Sequence, residues 1–144
     1  MGSTVVTFAI AQGHFVAFWA GDSRLYRLQN GSLEMLTIDH SIVAEFVLAG
    51  EMSWDEAEHH PQSNAITRAI GVGDELKLDK IRGEIQYGDR FLLCSDGLTK
   101  YCTALTLEEI LIREPIETVS EVLEKLALDG GGADNISIII IDFF

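Results

Sequence analysis

The sequence predicts an α+β fold for one domain covering residues 1–144. Three observations predict it. β-Branched and aromatic runs alternate with glycine turns as far as Leu36. The apolar period then becomes helical between Ile42 and Pro61. Apolar strand patterns return at Phe91–Cys94 and Ile136–Ile141, with helical stripes between them.

Thr4 to Ile10 and Phe15 to Ala20 read as strands joined by a Gln12-Gly13 turn. Gly21-Asp22-Ser23 makes a second turn before a short strand over Leu25–Leu28. Asn30-Gly31, a favoured hairpin pair, leads into Leu33–Leu36. These four strands are expected to form one antiparallel meander. Ile42, Val43, Phe46 and Val47 recur at helical spacing and stop at Gly50. Ser53-Trp54-Asp55-Glu56 matches a capping box, so a short helix starts there and Pro61 closes it. Residues 62–77 read as an irregular surface segment around a short Ile66–Ile70 element. Leu78 to Ile85 alternates weakly. Phe91–Cys94 is apolar throughout, which predicts a strand buried on both faces. Thr106-Leu107-Glu108-Glu109 reads as another capping box. Ile116, Val119, Leu123 and Leu126 form one helical stripe that Gly130 ends. The isoleucines of 136–141 predict a central strand.

Ten Lys+Arg against 23 Asp+Glu give a formal net charge of −13. Nucleic-acid backbones and anionic membrane surfaces are therefore excluded as main partners by repulsion. The composition, 47% hydrophobic and 23% charged, is that of a globular chain. Cys94 and Cys102 are too few for a disulfide framework, and a reducing, cytoplasmic setting is expected. No apolar run approaches the ~18 residues of a spanning helix.

Three aspartates share one placement. Asp22 follows an apolar strand in Gly21-Asp22-Ser23-Arg24, Asp96 follows another in Ser95-Asp96-Gly97, and Asp134 precedes the isoleucine run in Gly132-Ala133-Asp134-Asn135. A carboxylate at a strand end beside glycine sits on rigid backbone with room for a ligand. If the three strands are neighbours, the carboxylates converge. Two of them ~4 Å apart repel by roughly 4 kcal/mol at an effective dielectric of ~20. A hard cation such as Mg²⁺ or Mn²⁺ offsets that cost. The competing reading makes Asp22 and Asp96 ordinary turn residues and Asp134 the cap of its own loop.

The blocks GDSRLYRL (21–28), LTIDHS (36–41), HPQSNAITRAIG (60–71), GDRFLLCSDGL (88–98) and GGADNISIIII (131–141) resemble, in order and spacing, those of PP2C-type metal-dependent protein serine/threonine phosphatases, above all the bacterial branch. The HPQSN–ITRAIG stretch is most similar to phosphatases associated with type VI secretion. The resemblance covers nearly the whole chain. It implies part of a four-layer α/β/β/α sandwich with two antiparallel sheets, and a flap-like helical segment at about 39–64. Asp96 and Asp134 match ligands of a binuclear Mn²⁺ or Mg²⁺ centre, and Asp22 with Asp96 matches a third-metal site. Ser23, Arg24, Gly97 and Asn135, from the same blocks, would support that site. The implied chemistry is hydrolysis of phosphoserine or phosphothreonine in a phosphoprotein by metal-activated water, a bacterial signalling activity.

The family's N-terminal blocks have no counterpart here. They hold the phosphate-binding arginine and a GDGMGGH-like loop whose aspartate bridges the metals; residues 1–20 offer one titratable side chain, His14. Met1-Gly2-Ser3-Thr4 resembles a mid-domain block, so the chain is similar to the C-terminal portion of the domain. That implies negligible activity by itself, and pairing with itself or with the absent part. The alternative is a catalytically dead module that binds a phosphoprotein or regulatory partner. Among the remaining candidates, His14, His40, His59 and His60 lack zinc spacing with the cysteines and read as surface or capping residues. Cys94 and Cys102 lack a basic neighbour and read as a buried apolar group and a loop thiol. Arg24 and Arg68 either meet phosphate or pair with loop carboxylates, with pairing the first choice. Glu108, Glu109, Glu121 and Glu124 read as solvated helix faces.

Overall fold

Two tight turns set the first half of the architecture. Gln12 and Gly13 have φ of 51° and 75°, and Asn30 and Gly31 have 53° and 76°. Two consecutive left-handed residues give a hairpin turn whose twist matches that of the strands. The first closes β1 (Val5–Ala11) on β2 (His14–Ala20), and the second closes β3 (Arg24–Gln29) on β4 (Ser32–Met35). This is a computed structural model that describes residues 2–71, 73, 75–132 and 135–144.

The hairpins do not join into the meander that the sequence predicts. β2 pairs with β5 (Asp79–Glu84), whereas β3 pairs with β6 (Arg90–Cys94). The result is two antiparallel sheets, ordered β1-β2-β5 and β4-β3-β6-β7, where β7 is Ile138–Asp142. Gly21-Asp22-Ser23 is the crossing between them. Gly21 has φ +112°, and a Cβ there would collide with the Thr4 side chain, so only glycine makes the passage.

The sheets face each other through an aromatic core. Phe91 of β6 has its ring centroid 4.8 Å from Phe8, 5.2 Å from Phe15 and 5.6 Å from Phe143. On the other face of the second sheet lie α3 (Asp96–Thr99), α4 (Ala104–Arg113) and α5 (Val119–Asp129). Leu98, Leu107, Leu111, Val119 and Leu123 pack there against Tyr26, Leu92 and Cys94. β6 is thus buried on both faces, as its unbroken apolar run predicts. Phe18 and Thr7 stand opposite each other on the outer face of the first sheet, and both are exposed.

Three further expectations need correction. The N-cap of α4 is Thr103, not Thr106: its hydroxyl accepts from the Thr106 N–H at 3.3 Å, and the helix begins three residues earlier than the Thr-Leu-Glu-Glu pattern suggests. The buried stripe of α5 runs through Val119, Leu123 and Ala127. Ile116 stays outside it, in a turn closed by bonds from the Thr118 and Val119 N–H groups to Pro115 O. Finally, β7 is an edge strand, with Ile139 57% exposed. Apolar side chains on both faces report what lies above and below a strand and are silent about its edge neighbours.

The 39–64 region holds two short helices, α1 (Ala44–Leu48) and α2 (Trp54–Glu58). A bridge between Ser41 and Ile66, with the Ile42 N–H bonded to Ala65 O at 3.0 Å, closes the segment at its base. The predicted capping box at Ser53 and Glu56 is formed on both sides. No helix among the described residues is long and apolar enough to cross a membrane.

Candidate metal and phosphate site

Strand ends from both sheets and two short helices meet at the crossing between them. The β2–β3 crossing brings Asp22, β3 begins with Arg24, the loop after β4 brings Asp39 and His40, and β6 runs into α3 with Asp96 at its start. α2 lies over them with Trp54 and Glu58.

Arg24 organises the cluster. Its side chain is only 3% exposed. Nε donates to both oxygens of Asp39 at 3.0 and 3.2 Å, and Nη2 donates to Asp39 Oδ2 at 2.8 Å. Nη2 also lies 2.9 Å from Glu58 Oε1, Nη1 donates to the Tyr26 hydroxyl at 3.0 Å, and the guanidinium sits 5.3 Å above the Trp54 ring. Of the two roles the sequence leaves open, Arg24 takes the loop-carboxylate pairing. Arg68 does the same, donating to Asp79 at 2.7 Å.

The Arg24 bonds go to Asp39, Glu58 and Tyr26, not to Asp22. Burial, with the nearby charges of Asp96 and Asp39, pushes the pKa of Asp22 up to about 7. Burial also raises Asp39 and Glu58, with Arg24 opposing the rise in both. Lys100 lies 3.3 Å from Asp96 Oδ2. Among the described residues, four carboxyl groups (Asp22, Asp39, Glu58, Asp96) cluster with the cations Arg24 and Lys100. An all-oxygen cluster with surplus negative charge suits a hard divalent ion. Among the described residues, no group of three or more His, Cys, Asp or Glu is arranged to hold one. Asp134 lies outside the described residues.

The loop beyond Asp134 is tied to α3. A Cβ on Gly97 would collide with the Asn135 carbonyl, so glycine admits the close approach. Ser95 Oγ accepts from the Ser137 N–H at 3.0 Å, and the Ser95 N–H donates to Ser137 O at 3.1 Å. Ser23 shares a hydroxyl contact of 3.2 Å with Thr4, which braces the β2–β3 crossing.

Of the surface and capping roles expected for it, His40 does not take the surface one. It is 8% exposed and stacks on Trp19. Its Nδ1 accepts from the Gly21 N–H at 3.0 Å, which leaves Nε2 to donate to Asp79 Oδ2 at 2.7 Å. Hydrogen bonding from His40 and Arg68 holds Asp79 below its usual carboxylate range. His40 thus fixes the turn that presents Asp22. The two thiols are buried, and burial pushes both up to about 12, far from a nucleophile's range. A concavity of about 740 Å³ beside Ala9, Val16, Lys80 and Arg82 on the first sheet is lined by none of Asp22, Asp39, Glu58 and Asp96.

Sequence reasoning missed Asp39, Glu58, Asp79 and Lys100. Asp39 and Asp79 carry no local pattern that separates them from solvated acids. Two spacings carried a signal: Trp54 and Glu58 share a helix face at i,i+4, as do Asp96 and Lys100.

Comparison with known proteins finds relatives along nearly the whole chain. The serine/threonine phosphatase Stp of Listeria monocytogenes is 39% identical over 143 residues, which is 99% of this chain and 57% of that protein. This chain is a homologue of bacterial PP2C-type protein phosphatases. It spans somewhat more than half the length of curated relatives such as Stp, and 27% of the longer PstP of Mycobacterium tuberculosis. PppA, described as a key regulatory component of T6SS in Pseudomonas aeruginosa, superposes with a TM-score of 0.88 and 40% identity over 99% of this chain and 59% of its own. The catalytic domain of the phosphatase PstP, in complex with two manganese ions, has a TM-score of 0.86 at 32% identity, covering 99% of this chain and 60% of that one. No family model matches the chain. The two antiparallel sheets and their helices are the C-terminal part of the PP2C architecture.

Proposed function

We propose that this chain is the C-terminal portion of a cytoplasmic phosphatase domain whose complete form hydrolyses phosphoserine and phosphothreonine in proteins. The observation that carries the reading is the match, along 99% of the chain, to proteins named as serine/threonine phosphatases. The cluster around Asp22 and Asp96 supports it, because surplus carboxylate on rigid strand ends is what a divalent ion needs. Asp22, Asp96 and Asp134 would hold Mn²⁺ or Mg²⁺, and such ions make water acidic enough to attack phosphorus near neutral pH. Arg24 does not bind phosphate in this reading. It neutralises Asp39 and Glu58, which leaves Asp22 and Asp96 as the available ligands. His40 orients the Asp22 turn, and Gly97 lets the Asn135 loop approach α3.

These 144 residues hold no DGMGG-like loop, so the bridging ligand that keeps two ions ~3.5–4 Å apart has to come from elsewhere. We infer negligible turnover by this chain alone. Its open edges support pairing with a complementary segment or with itself: a groove of about 310 Å³, lined by Thr4, Val5, Val6, Ser23, Leu93 and Ile139, opens between β1 and β7. The test is hydrolysis of p-nitrophenyl phosphate and a phosphothreonine peptide with Mn²⁺, by this chain and by a full-length relative. Equal turnover by both would overturn the assignment of the missing ligands. A chain that stays inactive and does not associate with a DGMGG-containing segment, yet captures a phosphoprotein, would favour the non-catalytic alternative.

A further inference from the structure

Lys100 stands at the C-cap of α3, one helical turn beyond Asp96. Its Nζ lies 3.3 Å from Asp96 Oδ2 and donates a 2.7 Å hydrogen bond to Asn64 Oδ1, in the turn that follows α2. An i,i+4 lysine is ordinarily mobile, and its pair contributes a few tenths of a kcal/mol. This one is not left to find its own position. The side chains of Lys100 and Asp96 are 22% and 23% exposed, and the Asn64 amide oxygen fixes the ammonium on one side of the carboxylate.

A divalent ion bound to Asp96 would lie within roughly 5 Å of that ammonium, given ligand distances of about 2.1 Å. Both cations claim the same carboxylate. Arg24 is not in this competition, because Asp39 and Glu58 engage its guanidinium.

We propose that Lys100 is a positioning residue that sets the metal affinity of Asp96: an internal cation, held by Asn64, against whose charge a divalent ion must bind. The inference rests on the reading of Asp96 as a metal ligand. Its size follows from Coulomb's law. Even at the dielectric of water, a double charge about 5 Å from a single one is repelled enough to change affinity roughly tenfold.

The experiment is a Mn²⁺ titration of the 144-residue chain, following the electron paramagnetic resonance of free Mn²⁺. Lys100→Met is expected to bind Mn²⁺ roughly tenfold more tightly than the wild type at low salt. The gap narrows as KCl rises, since the screening length shrinks from about 30 Å at 0.01 M to about 3 Å at 1 M. A merely structural role for the lysine would not produce that salt dependence. Lys100→Arg restores wild-type affinity, because the charge returns. Asn64→Ala, which keeps Lys100 and loosens its hold, falls between the two. Wild-type binding lost in Asp96→Asn, with Lys100→Met unchanged to within about twofold, overturns the proposal and leaves the metal reading standing. Absence of binding by wild type and Lys100→Met alike overturns both.

Discussion

Replacing Arg24 with leucine tests whether this one side chain holds the site together. The change keeps most of the stem volume and removes every bond that the guanidinium makes to Asp39, Glu58 and Tyr26. Asp39 and Glu58, 8% and 9% exposed, are then left buried without a cation. Removing one partner of a buried pair costs about 3–5 kcal/mol. The lost contact with Trp54 adds about 1 kcal/mol. A total near 5 kcal/mol at pH 7 is a large share of the 5–15 kcal/mol typical of a domain. The cost also depends on pH in a defined direction. Without Arg24, the main opposition to the upward push of burial on Asp39 and Glu58 is gone, and only the smaller influences of His40 on Asp39 and of Thr99 on Glu58 remain. They keep protons that the unfolded chain releases above pH ~4, so the variant loses stability as pH rises from ~4 towards 7. Urea unfolding followed by circular dichroism at pH 5 and pH 7.5 measures both effects. We expect the penalty to be larger at pH 7.5. A loss below about 1 kcal/mol, or one equal at both pH values, would refute the reasoning.

Other predictions follow from the same contacts. Asp22, with a folded pKa of about 7, keeps its proton where the unfolded state has lost it; its contribution therefore destabilises the metal-free fold progressively from pH ~4 to 7 and levels off above. Asp22→Asn should remove that slope and stabilise the metal-free chain by a few kcal/mol at pH 8, read by thermal melting. His40→Ala, which leaves the Gly21 N–H without its acceptor and Asp79 without a donor, should cost about 2–3 kcal/mol in the same melt, with His40→Gln recovering part of it. Gly97→Ala forces the Asn135 carbonyl away from α3, and a loss of about 1–3 kcal/mol together with weaker Mn²⁺ binding is expected from calorimetry.

Much of this fold can be read from residue patterns because the deciding forces are local. Two left-handed residues at Gln12-Gly13 and Asn30-Gly31 force hairpins, and Ser53 with Glu56 builds its cap from neighbours in sequence. What stayed hidden is long-range. Nothing in β2 and β3 themselves shows that they enter different sheets; that depends on β5 and β6, some 60 residues away, and on the passage Gly21 makes against Thr4. The edge position of β7 stayed hidden for the same reason. In the site, the strand-end placement of Asp22 and Asp96 was legible from composition around each aspartate. The Arg24–Asp39–Glu58 group was not, because its members lie on three elements and meet only after folding. His40 is the clearest case. A histidine in a polar block reads as a surface group, and only the Gly21 amide and Asp79 make it a buried tether.

The proposed metal site places a divalent ion on Asp96 and Asp134, with Asp22 beside Asp96 at the sheet crossing. Anomalous diffraction at the manganese edge, from crystals of the chain grown with Mn²⁺, tests it most directly. A manganese peak is expected between the carboxylates of Asp96 and Asp134, at about 2.1–2.4 Å from ligating oxygens, with Asp22 adjacent. Asp96 and Asp134 carboxylates on opposite sides of the domain, or manganese bound only elsewhere, would contradict it.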